Sequence, residues 1–323
     1  MRMLRFGRTN VQVPAISLGT WGHGGPNTNE GASVGWTGHD DRLAKEALVE
    51  AHRRGITHWD TADAYGAGHA EQLIGEVFAE GVPRNEIFLA TKFGYIKGPS
   101  KHPYDPAFMR AQCEASLRNM RTEVIDLYYF HHCDFGPDDV YFDDALTTMR
   151  ALRGEGKIRF VGISDWDMSR IMRFIERVDP DVAQPYRNLI DDDYESSGLK
   201  RYVDDHDLGV AFFSPLKHGL LLGKYDAPQH FAQGDFRSNV PEFENAEFIA
   251  RMRRAREEVT SRFPDKQEPV IHALTGALLN GNPNATVLLG QRNAKQVIAA
   301  ASAGEALSDE DAAWVRRVYT TSS

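Results

Sequence analysis

Asp60, Tyr65, Lys92 and His131 are the residues of this chain whose types and spacing could do acid–base chemistry. Each lies at or just past the end of a short apolar run. Ile56-Thr57-His58-Trp59 leads into Asp60-Thr61-Ala62-Asp63-Ala64-Tyr65-Gly66, Ile87-Phe88-Leu89-Ala90-Thr91 into Lys92, and Ile125-Asp126-Leu127-Tyr128-Tyr129-Phe130 into His131. A tyrosine, with a pKa of about 10 in isolation, serves as a general acid near neutral pH if a neighbouring cation draws that value down. Lys92 could be that cation. Asp60 would hold the ammonium charged and in place, while His131 would donate a hydrogen bond to a carbonyl oxygen or relay a proton. None of the four is a good nucleophile, so the pattern points to proton transfer coupled to chemistry that a cofactor supplies. Taken singly, each has an ordinary explanation: a packed tyrosine, a surface ion pair, a satisfied core histidine. Their joint placement at successive run ends is what points to a site.

Apolar runs of this kind read as parallel strands buried on both faces. Eight recur, near residues 15–18, 57–60, 87–91, 126–130, 160–163, 182–184, 209–213 and 286–289. Amphipathic segments alternate with them, such as 40–54, with Leu43, Ala47, Leu48 and Ala51 on one face, and 106–120, with Pro106 opening the first turn. Strict alternation predicts an α/β fold, a single (β/α)8 TIM barrel over residues 1–323. An N-terminal β-hairpin (3–6 and 11–13) and two additional helices (246–262 and 309–319) are expected around it. An open doubly wound sheet fits less well, because no early Gly-x-Gly-x-x-Gly is present; Gly66-Ala67-Gly68 lacks the third glycine and reads as a turn. A barrel gathers its site at the C-terminal ends of its strands, where the four acid–base residues fall. Two long loops, 22–39 and 217–241, follow strand ends on that face and read as lids or binding loops. Trp21, His23, Trp36 and His218, in or beside them, could line a substrate pocket or simply pack the loops. The two loops and the C-terminal tail are expected to build that pocket.

The totals bound the function class. The 323 residues are 41% hydrophobic and 26% charged, the balance of a globular enzyme, and no apolar run approaches the roughly 20 residues of a membrane helix. The opening Met1-Arg2-Met3-Leu4-Arg5-Phe6-Gly7 lacks the apolar core of a signal peptide. Only Cys113 and Cys133 are present, too few for a disulfide framework, so a cytoplasmic chain with free thiols is expected. A net charge of −9 argues against nucleic acid as a partner. The run His131-His132-Cys133-Asp134 looks like a metal cluster, but adjacent residues leaving a strand point to opposite sides, and no metal is expected.

In order along the chain, Trp59 to Gly66, Ala90-Thr91-Lys92 and Leu127-Tyr128-Tyr129-Phe130-His131 resemble the aldo-keto reductase family. The resemblance continues through Gly156-Lys157-Ile158-Arg159-Phe160-Val161-Gly162-Ile163-Ser164, Phe213-Ser214-Pro215-Leu216, Gly219-Leu220-Leu221-Leu222-Gly223-Lys224 and the stretch from Leu289 to Val297. It implies an NAD(P)(H)-dependent oxidoreductase interconverting an aldehyde or ketone, sugar-derived ones included, with the alcohol. Tyr65 would be the proton donor, Lys92 and Asp60 its tuning pair, and His131 the group orienting the carbonyl. Phe213 would stack on the nicotinamide ring. Ser164, Asp165 and Gln184 would hold the carboxamide, and Ser214, Pro215, Leu216 and Lys224 the pyrophosphate. Arg237, Gly290, Arg292 and Gln296 would hold the adenosine end, with Thr20, Trp21, Asp60 and His218 completing the cofactor site. Arg292, with Arg237 or Lys295, would favour NADP(H), with NAD(H) also possible. Three departures stand out: Ser164-Asp165 where many relatives read Ser-Asn, Ala299-Ala300 in place of polar groups that usually face adenine, and Gln184-Pro185-Tyr186 in a changed spacing that gives Tyr186 no cofactor contact. Two rival readings remain at this level: a nicotinamide-sensing regulatory subunit of a membrane or other complex, and a barrel aldolase with Lys92 as Schiff-base nucleophile.

Overall fold

The computed structural model describes residues 1–29, 31–96 and 98–321. In chain order its elements are β1 (Met3–Arg5), β2 (Gln12–Pro14), β3 (Ile16–Gly19), β4 (Thr28–Asn29), β5 (Ala32–Ser33), α1 (Asp41–Arg53), β6 (His58–Asp60), α2 (His69–Ala79), β7 (Phe88–Phe93) and α3 (Pro106–Asn119). There follow β8 (Ile125–Phe130), α4 (Phe142–Gly154), β9 (Ile158–Asp165), α5 (Met168–Val178), β10 (Val182–Pro185), α6 (Leu199–Asp205) and β11 (Gly209–Phe212). The last are α7 (Ala246–Arg262), α8 (Pro269–Leu279), β12 (Ala285–Gly290), α9 (Ala294–Ala301) and α10 (Asp309–Thr320). Strands β3 and β6 to β12 pair in parallel with their chain neighbours, and β12 returns to β3 with Val287 opposite Ile16 and Gly290 opposite Gly19, closing an eight-stranded barrel. This is the (β/α)8 fold expected from the alternating runs. All eight strands fall within a few residues of the predicted positions.

The strands are buried on both faces because each lies between the barrel interior and the helix ring, with buried polar side chains such as Ser17, His58 and Thr286 among the apolar ones. Helix starts are set by side-chain caps: Asp40 accepts from the Leu43 amide, Asp105 from Ala107 and Phe108 ahead of Pro106, and Asn293 from Gln296. α7 and α10 are the two helices beyond the eight-fold repeat, and both pack against α8. The hairpin β1–β2 places Phe6, fully buried, against His58 and Phe88 at the N-terminal end of the strands. No helix among the described residues is long and apolar enough to cross a membrane.

At the other end the two long loops are joined. The first carries the short β4–β5 hairpin, and Gly35 pairs with Asp235 of the second loop as an isolated bridge. The Phe236 amide donates to Gly35 O at 2.8 Å and the Asn27 and Gly35 amides donate to Gly234 O at 3.1 and 3.2 Å. The Gly234 amide donates to Ser33 Oγ and Asn239 Nδ2 to Ser33 O. Backbone pairing of this kind satisfies polar groups that two free loops would leave to water.

Candidate active site

The C-terminal ends of β6, β7 and β8 bring the four acid–base residues to one place. Lys92 Nζ is 1% exposed and spends its three donors on Asp60 Oδ1 at 2.5 Å, Thr61 O at 2.7 Å and Tyr65 OH at 3.3 Å. Asp60 Oδ2 accepts from Gln184 Nε2 at 2.9 Å. The Tyr65 ring stands edge-on to His131, centroids 5.9 Å apart. The turn that carries Tyr65 is held tightly: the Asp63 amide donates to Lys92 O and the Tyr65 amide to Ala62 O. Gly66, at φ +63°, approaches Gly24 so closely that a Cβ on either would meet the other's backbone within 2.6 Å.

Burial pushes Asp60 up and Lys92 down, each resisted by the charge of the other. The expectation that Lys92 draws the Tyr65 phenol down is not what the structure shows. Burial holds that phenol well above its usual value, and Asp60 and Asp63 push it the same way. The physical reason is desolvation of the phenolate, which a lysine already neutralised by Asp60 does little to offset. His131 is driven well below its ordinary value by burial and by Lys92, so it is a neutral imidazole at neutral pH, and its Nδ1 is buried without a partner among the described residues.

Tyr65, Asp60 and His131 open on a cavity of about 660 Å³. Thr20, Trp21, Ser164, Gln184, Phe213, Ser214, Pro215, Leu216, His218, Lys224, Arg237, Gly290, Arg292 and Gln296 also line it. Trp36 lines it too, whereas His23 is buried beside it with Nε2 against Gln291 O. Asp165 does not reach the wall. Its carboxylate accepts from the Cys133 and Asp167 amides at 2.7 and 2.9 Å, so it braces the end of β9. Lys92 stands behind Asp60 and Tyr65, off the wall. No described residue beyond Gln296 lines the cavity, so the described part of the C-terminal tail, through residue 321, does not build the pocket as expected. The sequence reading missed Tyr95, Trp166 and Phe236, all on the wall. Tyr95 and Trp166 lie just past the ends of β7 and β9, the same signal that singled out His131.

The cations differ in their commitments. Arg237 forks onto Asp235 through Nε and Nη2 at 2.8 and 2.6 Å and lies over the Trp36 and Phe231 rings. Lys295 is exposed and off the wall. Arg292 Nη1 donates to Thr37 O at 3.0 Å, and neither Arg292 nor Lys224 has a carboxylate partner among the described residues. Burial lowers Arg292, and the Arg237 charge adds to that, the mark of a cation short of a counter-charge. After β11, Ser214, Lys217, His218 and Gly219 all take positive φ, and the Lys217 and Gly219 amides donate back to Ser214 O and Leu216 O, which closes a tight turn at the cavity edge. Lys217, tied to Asp191 and Glu242 at 2.7 and 3.1 Å, anchors that turn.

Comparison with known proteins decides the family. The pattern of the Aldo/keto reductase family matches residues 15–320. The chain belongs to that family. The reductase is 29% identical to aldo-keto reductase yakc [NADP(+)] of Schizosaccharomyces pombe over 74% of its own length and 68% of the relative's. It is 27% identical to the NADH-specific methylglyoxal reductase of Escherichia coli over 77% of both chains. Among solved structures, the glycerol dehydrogenase AKR11B4 of Gluconobacter oxydans superposes with a TM-score of 0.79 at 28% identity, covering 98% of the reductase and 94% of that chain. The reductase is an oxidoreductase of the NAD(P)H-using type, and its relatives include both NADP- and NADH-specific members.

Proposed function

We propose that this reductase converts an aldehyde or ketone to the alcohol, and the reverse, with Tyr65 as general acid and base and NADP(H) as the preferred cofactor. The observation that carries the reading is the hydrogen-bonded row Gln184, Asp60, Lys92, Tyr65, which ends at the cavity wall beside His131.

The residues present fit a nicotinamide dinucleotide. Phe213 offers a half-buried ring for the nicotinamide, and Ser164 and Gln184, on the same cavity wall, would meet its carboxamide by giving up their present bonds to Gln184 O and Asp60 Oδ2. The positive-φ turn from Ser214 to Gly219 and Lys224 would take the pyrophosphate, and Gly290, where an added Cβ meets nothing within 4 Å, leaves room for the adenosine end beside Gln296. Arg292 is the guanidinium free to face a 2′-phosphate, which is the ground for preferring NADP(H). Bound there, the cofactor supplies or accepts the hydride.

The chain's own residues handle the proton. A carbonyl oxygen between Tyr65 OH and His131 receives a hydrogen bond from each, and neutral His131 orients it without competing as an acid. The raised proton affinity of Tyr65 keeps the donor loaded at neutral pH, and an alkoxide is basic enough to take that proton all the same. The phenolate left behind lies 3.3 Å from Lys92 Nζ, whose charge the neighbouring Asp60 largely offsets. Asp60 and Thr61 O keep the ammonium aimed at Tyr65. Trp21, Trp166 and Phe236 shield the site from water, their rings within 4.9–6.4 Å of one another.

The test is a panel of aldehydes, ketones and alcohols followed by nicotinamide absorbance, with each cofactor and in both directions. Turnover that depends on Tyr65 supports the reading; cofactor binding with no turnover on the panel favours a sensor instead.

A further inference from the structure

Behind the catalytic row lies a second set of polar groups that the chemistry above does not use. Asp63, in the turn between β6 and α2, is 3% exposed. Gln112 Nε2 on α3 donates to its Oδ2 at 2.9 Å, while its Oδ1 is buried with no hydrogen-bond partner among the described residues. Glu71 on α2, fully buried, accepts from Thr91 Oγ1 at 2.7 Å and from Asn119 Nδ2 at 3.0 Å. Gln112 and Asn119 lie seven residues apart on one face of α3, so the two carboxyls share a polar seam between that helix and the barrel. Thr61 Oγ1 and Tyr128 OH are likewise buried without partners.

Charge counting makes this seam informative. The groups that face Asp63 are Tyr65 from its own turn, Glu71 from α2, Lys92 from β7, Tyr128 from β8 and the neutral Gln112 from α3, and Lys92 in turn meets Asp60, Asp63 and Glu71. Three carboxyls therefore meet one ammonium, and that ammonium is spent on Asp60. Holding further uncompensated anions in a dry region is costly, so burial raises both Asp63 and Glu71. Burial raises Asp63 to about 8, with Gln112 pulling it down and Glu71 pushing it further up.

We propose that Asp63 is a positioning residue whose charge sets how tightly Tyr65 holds its proton, and so fixes the alkaline limit of alcohol oxidation. The inference rests on the acid–base role given to Tyr65 above. At neutral pH Asp63 is mostly protonated and adds little. As pH rises, it gains a negative charge two residues from Tyr65, which favours the phenol over the phenolate. Reduction needs the phenol, so it is protected. Oxidation needs the phenolate to accept the alcohol proton, so its onset is pushed to higher pH.

The experiment is kcat/KM against pH in both directions for the whole protein, its Asp63→Asn variant and its Gln112→Leu variant, with Tyr65→Phe alongside. Asp63→Asn is expected to move the alkaline rise of oxidation down by about one pH unit and to leave reduction at neutral pH within about twofold. Gln112→Leu removes the group that pulls Asp63 toward its charged form, and is expected to move the same limb in the same direction by less. If Asp63→Asn loses its helical circular dichroism, Gln112→Leu decides alone. Oxidation profiles unchanged in both variants, or reduction at neutral pH that collapses in a folded Asp63→Asn, would overturn the proposal. Wild-type turnover in Tyr65→Phe would instead overturn the function on which it rests.

Discussion

Replacing Arg292 by methionine separates the two nicotinamide cofactors, and the structure sets the size of the effect. Two guanidinium groups line the cavity near the loop junction, but Arg237 is already forked onto Asp235. Arg292 makes one side-chain bond to Thr37 O and has no carboxylate partner among the described residues. A charge-assisted hydrogen bond is worth about 1.5–3 kcal/mol, and each 1.4 kcal/mol is about tenfold in affinity. Arg292→Met is therefore expected to raise the NADPH KM about 10- to 100-fold while changing that for NADH by less than about threefold. Methionine keeps most of the aliphatic stem against Gly22, where the Arg292 Cγ and Cδ already pack. Initial rates at fixed carbonyl concentration, with each cofactor varied, measure both constants. Equal losses for the two cofactors, or an unchanged NADPH constant, would refute the assignment of Arg292 to the 2′-phosphate.

Other outcomes follow from the same geometry. Tyr65→Phe is expected to keep cofactor affinity, measured by fluorescence titration, and to lose about 10²- to 10⁴-fold in kcat, the range for a general acid. His131 is held neutral by burial, so the rate of reduction is expected to show no inflection near pH 6.5, and a break there that vanishes in His131→Gln would contradict that. Asp235, which burial would raise, is carried down to about 2 by Arg237 and Thr37. Its folded value is depressed, so it contributes stability fully above about pH 4, worth about 2 kcal/mol, and loses it as pH falls toward 2. Arg237→Met, which strands that buried carboxylate, is expected to cost about 3–5 kcal/mol in denaturant unfolding at neutral pH and to leave the NADPH to NADH preference unchanged.

The barrel, and the meeting of Asp60, Tyr65, Lys92 and His131 at one end of it, were legible because their causes are local. Strands buried on both faces write apolar runs, and a barrel gathers whatever stands just past those runs, such as Lys92 and His131, at one end. What escaped was whatever depends on long-range surroundings. Lys92 pairs with Asp60 rather than lending its charge to Tyr65, and no spacing in the sequence tells how dry that contact is. Asp165 follows Ser164 directly yet turns to the amides of Cys133 and Asp167. Arg237 had a visible partner two residues back, Asp235, and that short spacing was the available sign that its charge is spent. Trp166 and Tyr95 obeyed the rule used for His131 and could have been found by applying it to every strand.

The pairing of Gly35 with Asp235, and of Ser33, Gly234 and Phe236 around it, makes the two long segments above the barrel one inherited unit. A change of backbone course in either segment breaks bonds made by its counterpart some 200 residues away. A graft from a relative that exchanges only residues 22–39 would carry half an interlocking surface and lose these bonds, whereas moving both halves together keeps them. Ser33 and Asn239, whose side chains make two of these bonds, are the positions at which a substitution in one segment is felt in the other.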